Sequence, residues 1–88
     1  MEINQVDNKL KQIISEISKI KTSINENTSM VEDLGFDSFE IMHLIVLIEE
    51  NFSFEFLEED LDLSNIDVYS DLLEHVINSI NRVEGVSI

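Results

Sequence analysis

The sequence predicts an all-α fold, a four-helix bundle of three main helices and one short helix. Three observations lead there. Among 88 residues there is no proline and there are only two glycines, Gly35 and Gly85, so little interrupts a helix. Apolar residues recur at steps of three and four. Strand alternation is confined to Phe52, Phe54 and Phe56, and no Asn-Gly type of hairpin turn occurs.

The first helix is predicted from Ile3, Val6, Leu10, Ile13, Ile17, Ile20 and Ile24, whose spacing is 3, 4, 3, 4, 3, 4, with Ile14 widening the stripe. Such a stripe suits a helix packed on its own domain. Three heptads also approach the minimum for a coiled-coil dimer. Residues 25 to 37 are mixed polar with one glycine and read as a long ordered loop, of a length often tied to function. Met30, Val31, Leu34 and Phe36 are its expected anchors on the bundle.

The second helix is expected to start at Asp37 or Ser38, with Asp37 as N-cap and Glu40 three residues on, as in a capping box. Ile41, Leu44, Ile45, Ile48 and Phe52 share one face. Phe39, Met42 and Val46 fall outside it, and three apolar residues at helical spacing on an exposed face suggest a contact surface. Leu57, Leu61, Leu63 and Ile66 predict a helical turn or two in an acidic stretch. The last helix is predicted from Tyr69, Leu72, Leu73, Val76, Ile77, Ile80 and Val83, with Gly85 placed to follow its end.

Length and charge narrow the function. A chain of 88 residues is expected to form one domain over 1–88, with a modest core and no deep walled cavity beside it. With 19 acidic against 5 basic residues the net charge is −14, while a hydrophobic fraction of 43% is too high for a disordered acidic tail. Nucleic acid is not an expected partner, since phosphate contact relies on Lys and Arg. Anionic membranes are disfavoured for the same reason. The longest apolar run, Leu44 to Ile48, is far short of a membrane span. No secretory pattern opens the chain, so a cytoplasmic protein is expected. A monomer is expected as well.

The charge is uneven. Residues 1 to 21 hold four lysines against three acids, a net of +1. Residues 22 to 88 hold Arg82 against 16 acids, a net of −15, which predicts partners with basic docking patches.

The chemistry-bearing residues are few. Without cysteine there is no disulfide and no thiolate metal site. Asp60, Asp62, Ser64 and Asp71 match part of a calcium loop, but Asn65 replaces its glycine and Asp71 its final glutamate, so no metal site is expected. His43 and His75 have no metal-ligand spacing. Ser38 is the most informative residue. A hydroxyl at a helix N-terminus lies where free N–H groups and the helix dipole tolerate a phosphate group. It can equally be part of an ordinary helix cap. Nucleophilic catalysis is not expected: the G-x-S-x-G elbow is missing, and His43 lies five residues on. That offset is about 500° around a helix, out of hydrogen-bond reach.

Residues 33 to 52, D-L-G-F-D-S-F-E-I-M-H-L-I-V-L-I-E-E-N-F, resemble the acyl carrier proteins, whose signature is D-[LS]-G-x-D-S-L ahead of an amphipathic helix ending in E-E-x-F. The likeness extends through S-F-E-F to Y-S-D-L at 69 to 72. It implies an acyl-carrier-like bundle in which Ser38 accepts 4′-phosphopantetheine from coenzyme A by the action of a phosphopantetheinyl transferase with Mg²⁺. The arm's thiol would carry acyl groups as thioesters to acyl-loading, condensing or transferring enzymes of fatty-acid, polyketide or related biosynthesis. The carrier itself would catalyse nothing. The expected partner surface comprises Asp37, Phe39, Glu40, Met42, His43, Val46, Glu49 and Glu50.

Phe39 stands where the family usually has leucine, and His43 where fatty-acid carriers usually have glutamate. Ser53 and Leu57 replace a common glycine and proline. G-F-D-S, in place of G-G-x-S, favours an acyl over a peptidyl carrier. A specialised polyketide, lipid or related pathway fits at least as well as housekeeping fatty-acid synthesis. The reading from another class is a small acidic helical adaptor that binds a basic partner without a prosthetic group.

Overall fold

A computed structural model describes residues 2–85. Four helices follow one another: α1 (Ile3–Ile17), α2 (Ser38–Phe52), a short α3 (Leu63–Ile66) and α4 (Tyr69–Glu84), with a 3₁₀ turn at Glu58–Leu61 before α3. No strand forms among the described residues; Ser29 and Val68 make one isolated antiparallel bridge. The three-long, one-short bundle is the architecture expected.

Each long helix contributes one buried face to a single core. Val6, Leu10, Ile13 and Ile14 come from α1, Leu44, Ile48 and Phe52 from α2, and Tyr69, Leu72, Val76 and Ile80 from α4. Met30, Leu34 and Phe36 of the long loop join them, as do Phe54, Phe56 and Ile66. The three Phe rings are therefore buried without a sheet: Phe52 ends α2, Ser53 turns the chain in a left-handed conformation at φ 58°, and Phe54 and Phe56 beyond it meet edge to face at 4.9 Å.

The first helix ends earlier than its apolar stripe. Ser18 leaves helical geometry with ψ of 133°. Its hydroxyl donates to the Ile20 carbonyl at 2.7 Å and accepts the Ile20 N–H at 3.1 Å. Lys21 folds back to donate to the carbonyls of Ser15 and Ser18, at 2.8 and 3.1 Å. A hydroxyl turn and a cation on the terminal carbonyls compete successfully with another helical turn. Ile20 is consequently exposed, and Ile24 packs on the core from the loop. The loop runs from 18 to 37 instead of 25 to 37, and Val31, expected as an anchor, is exposed.

Between α2 and α4 the expected helical turns form, but only Ile66 is buried; Leu57, Leu61 and Leu63 stay exposed. Asp62 caps α3 by accepting from the Ser64 N–H at 2.9 Å and hydroxyl at 2.7 Å, and these bonds hold its carboxyl below the usual range. At the start of α4, the Tyr69 hydroxyl donates to the Asp7 carboxylate at 2.5 Å, tying α4 to α1. Burial, then Asp7, raises the phenol well above its ordinary value of 10.0. α4 closes on Gly85 at φ 71°, a left-handed conformation that suits glycine.

Candidate functional site

The loop delivers the chain to α2 through a tight turn. The N–H of Gly35 donates to the Val31 carbonyl and that of Phe36 to the Met30 carbonyl, both at 3.0 Å. Gly35 has φ 70°, where a side chain would strain the backbone. Phe36 then buries its ring, which fixes the depth at which the next residues emerge.

Asp37 and Glu40 form the expected capping box. The Glu40 N–H donates to Asp37 Oδ1 at 2.9 Å, and the Asp37 N–H donates to Glu40 Oε1 at 3.1 Å. Ser38 is the first residue of α2, and it is exposed. The cap is made by Asp37, so the Ser38 hydroxyl is not needed for it and takes no hydrogen bond among the described residues. Glu40 and Ile41 find acceptors on Asp37, which leaves the Ser38 and Phe39 amides as open first-turn donors among the described residues. An exposed, uncommitted hydroxyl beside two open amides at the positive end of a helix suits a phosphoester.

Next to it lies the unusual face of α2. Phe39 is 83% exposed, Met42 65% and Val46 47%. His43 and Glu50 are exposed as well, while Ile41, Ile45 and Leu47 are half-buried against the core. Glu49 differs from its neighbours on the expected surface: its carboxylate accepts the Phe56 N–H at 2.9 Å and so holds the segment that follows the helix. Sequence reasoning missed this second task, because a bond spanning seven residues across a helix end has no periodic signal.

The remaining candidates are occupied locally. His75 donates from Nδ1 to the Asp71 carbonyl at 2.8 Å, and its Nε2 lies 3.8 Å from the Asp60 carboxylate. Asp62 is engaged with Ser64. Among the described residues no three side chains of His, Asp or Glu gather as a metal site, and no helix is long and apolar enough to cross a membrane. One surface groove runs between α1 and α4, lined in part by Ile24, Leu73 and Ile77, with no residue of α2 in its wall.

The family model described as "Phosphopantetheine attachment site" matches residues 8–76, which include the whole of α2. The "Acyl carrier protein" of Buchnera aphidicola subsp. Schizaphis graminum is 44% identical over 64 residues, covering 72% of this chain and 81% of that protein. That of Buchnera aphidicola subsp. Baizongia pistaciae is 29% identical over 77 residues, covering 85% of this chain and 99% of that protein. The "Acyl carrier protein" of Chlamydia caviae is 40% identical over 50 residues, 57% of this chain and 65% of that protein. An all-helical bundle, an aspartate-capped helix that opens on a free serine, and a family match over most of its length together make this chain a member of the acyl carrier protein family, a carrier with a phosphopantetheine attachment domain.

Proposed function

We propose that the chain, as one domain over 1–88, is an acyl carrier that bears 4′-phosphopantetheine on Ser38. The observation that carries the reading is the Ser38 hydroxyl: exposed, uncommitted to the cap, and set at the first position of α2. In the modification its oxygen attacks the phosphorus of the coenzyme A pyrophosphate. A new P–O ester forms, the P–O bond to the nucleotide half breaks, and the hydroxyl proton passes to a base. None of the described hydrogen bonds joins that hydroxyl to a basic side chain, and a transferase performs the step with Mg²⁺. Once attached, the arm contributes the thiol that this cysteine-free chain lacks, as the carrier of acyl groups in thioester linkage.

The residues of the chain then have separate tasks. The Asp37–Glu40 cap fixes where α2 starts. The Ser38 and Phe39 amides would offer their N–H groups to the negative charge of a phosphodiester on Ser38. Phe39, Met42 and Val46 offer an apolar centre to partner enzymes, within a rim of Asp37, Glu40, Glu49 and Glu50, with His43 beside it. The acidic rim attracts basic docking patches. The partners are enzymes of fatty-acid, polyketide or related biosynthesis, met in the cytoplasm by a monomeric carrier.

Intact mass spectrometry tests the assignment. Incubation with coenzyme A, Mg²⁺ and a broad-specificity transferase is expected to add the mass of one arm. Ser38→Ala removes no hydrogen bond from the cap, so it is expected to abolish the addition and keep the far-UV helicity. A modified alanine variant would overturn the assignment of Ser38.

A further inference from the structure

Asp67 closes α3 and lies far from Ser38 in sequence, yet it holds the loop that leads to Ser38. Its Oδ2 accepts the Ser29 hydroxyl at 2.8 Å and its Oδ1 accepts the Val31 N–H at 3.0 Å. Its own carbonyl accepts the Met30 N–H at 2.9 Å. Three consecutive loop residues are thus fastened to one residue across the fold. The same three then build the turn. Ser29, Met30 and Val31 offer their carbonyls to the N–H groups of Leu34, Phe36 and Gly35, at 3.2, 3.0 and 3.0 Å. Phe36 immediately precedes the capping residue Asp37. From the Asp67 carboxylate to the start of α2, every link is therefore a hydrogen bond or a peptide bond.

We infer that Asp67 is a positioning residue for Ser38, clamping residues 29–31 so that the turn through Phe36 presents the serine in one fixed orientation. The inference rests on the reading of Ser38 as the attachment residue. Its physical basis is a division of labour within the loop. Burial of Met30, Leu34 and Phe36 is non-directional, so it sets depth and leaves orientation free. Hydrogen bonds are directional, and among the described residues the two made by the Asp67 side chain are the side-chain bonds that join the loop to the α3–α4 junction, beside backbone bonds from Met30, Tyr69 and Ser70 to Asp67, Thr28 and Glu26. Ser38 makes no such bond of its own among the described residues, so its placement follows from the turn that precedes it together with the packing of α2.

The test is the steady-state rate of arm attachment by a transferase, with carrier concentration varied for the wild type, Asp67→Ala and Asp67→Asn. The alanine variant loses both side-chain acceptors but leaves the docking face of α2 intact. Its kcat is expected to fall about tenfold with KM nearly unchanged, as for a reacting group displaced within an otherwise bound complex. Asparagine keeps an oxygen for the Val31 N–H and brings an amide that can donate to Ser29 Oγ, so its kcat is expected to stay within about twofold of the wild type. Simple loss of stability reads differently: fewer folded carriers raise the apparent KM and leave the saturated rate alone.

Amide exchange supplies a readout without the transferase. In Asp67→Ala the Val31 amide should exchange faster while those of Ile48 and Val76 hold. If that variant fails to fold by circular dichroism, Ser29→Ala removes the hydroxyl bond to Asp67 together with the Glu32 N–H bond that the same hydroxyl accepts at 3.0 Å, and should lower kcat in the same sense by a smaller factor. An unchanged kcat in the alanine variants, a loss confined to KM, or equal losses for alanine and asparagine would overturn the clamp. A wild-type chain that gains no arm would instead overturn the reading of Ser38, and this inference with it.

Discussion

Helices α1 and α2 are the same length, 15 residues each, and use their apolar residues differently. On α1 the residues opposite Val6, Leu10, Ile13 and Ile14 are polar: Asn4, Asn8, Lys9, Gln12 and Glu16 are all exposed. On α2 the face away from Leu44, Ile48 and Phe52 still carries Phe39, Met42 and Val46 in solvent. The first pattern is what folding alone requires. The second leaves apolar area exposed among the described residues, next to a serine whose hydroxyl makes no hydrogen bond among them. Surplus apolar surface on one helix of a small acidic bundle is what separates a recognition helix from a scaffolding one.

The largest effect is expected from a pair of truncations on the two faces of α2. Ile48 is fully buried, so Ile48→Ala is expected to cost about 2–5 kcal/mol by urea unfolding. Met42→Ala is expected to cost less than about 0.5 kcal/mol, as for a surface site. It should nevertheless shorten the lifetime of partner complexes several-fold, read as a faster dissociation rate. Equal stability losses for the two would show that the faces of α2 are not distinct.

A second test uses the tie between α1 and α4. Tyr69→Phe removes the hydroxyl bond to Asp7 and is expected to cost about 1 kcal/mol. The pH dependence has a definite sign. The folded chain raises the phenol above its ordinary 10.0, so the neutral form is the one favoured by folding. That contribution is complete below about pH 10, the unfolded value, and is lost progressively at higher pH. Tyr69→Phe should remove this alkaline loss, and a phenylalanine variant with the same alkaline profile would exclude Tyr69 as its source.

Charge gives smaller effects. Glu50 is exposed and accepts no side-chain hydrogen bond among those described, whereas Glu49 holds Phe56. Glu50→Lys is therefore the clean probe of the acidic rim, expected to slow association roughly threefold at low salt and much less at high salt. Glu49→Lys should lower stability as well. Raising NaCl to about 0.2 M should lift Tm by a few degrees by screening the net charge of −14, and Mg²⁺ should do more at equal ionic strength. The smallest expected change is His43→Glu, a modest gain in turnover with transferases adapted to fatty-acid carriers. No kinetic effect from His43→Glu and Met42→Ala together would move the docking surface off this face.

Much of this was legible in the sequence because the signals were local. Helix positions followed from three- and four-residue spacing, the α2 cap from Asp37 and Glu40, and the exposed trio from its offset to the buried stripe. The resemblance in D-L-G-F-D-S-F rested on a contiguous motif. Each depends on residues a few positions apart, where backbone geometry alone fixes who is a neighbour.

What the sequence did not settle depended on distant partners or on competition between nearby ones. Ile20 and Ile24 continue the α1 stripe in register, but the Ser18 hydroxyl turns the chain onto Ile20 and Lys21 binds the carbonyls of Ser15 and Ser18, which ends the helix. Leu57, Leu61, Leu63 and Ile66 predict a helical turn or two, which forms, but which of them is buried was not legible: the short 3₁₀–α3 segment brings Ile66 to the core and leaves the three leucines exposed. The Asp67 hold on Ser29 and Val31, the Tyr69 bond to Asp7 and the Glu49 bond to Phe56 have no repeat or motif behind them. The sequence by itself determined an acidic helical bundle with a serine at the head of its second helix. Only the tertiary structure decided which polar groups hold that serine in place, because a hydrogen bond requires two groups within about 3 Å, and for groups dozens of residues apart the folded chain alone sets that distance.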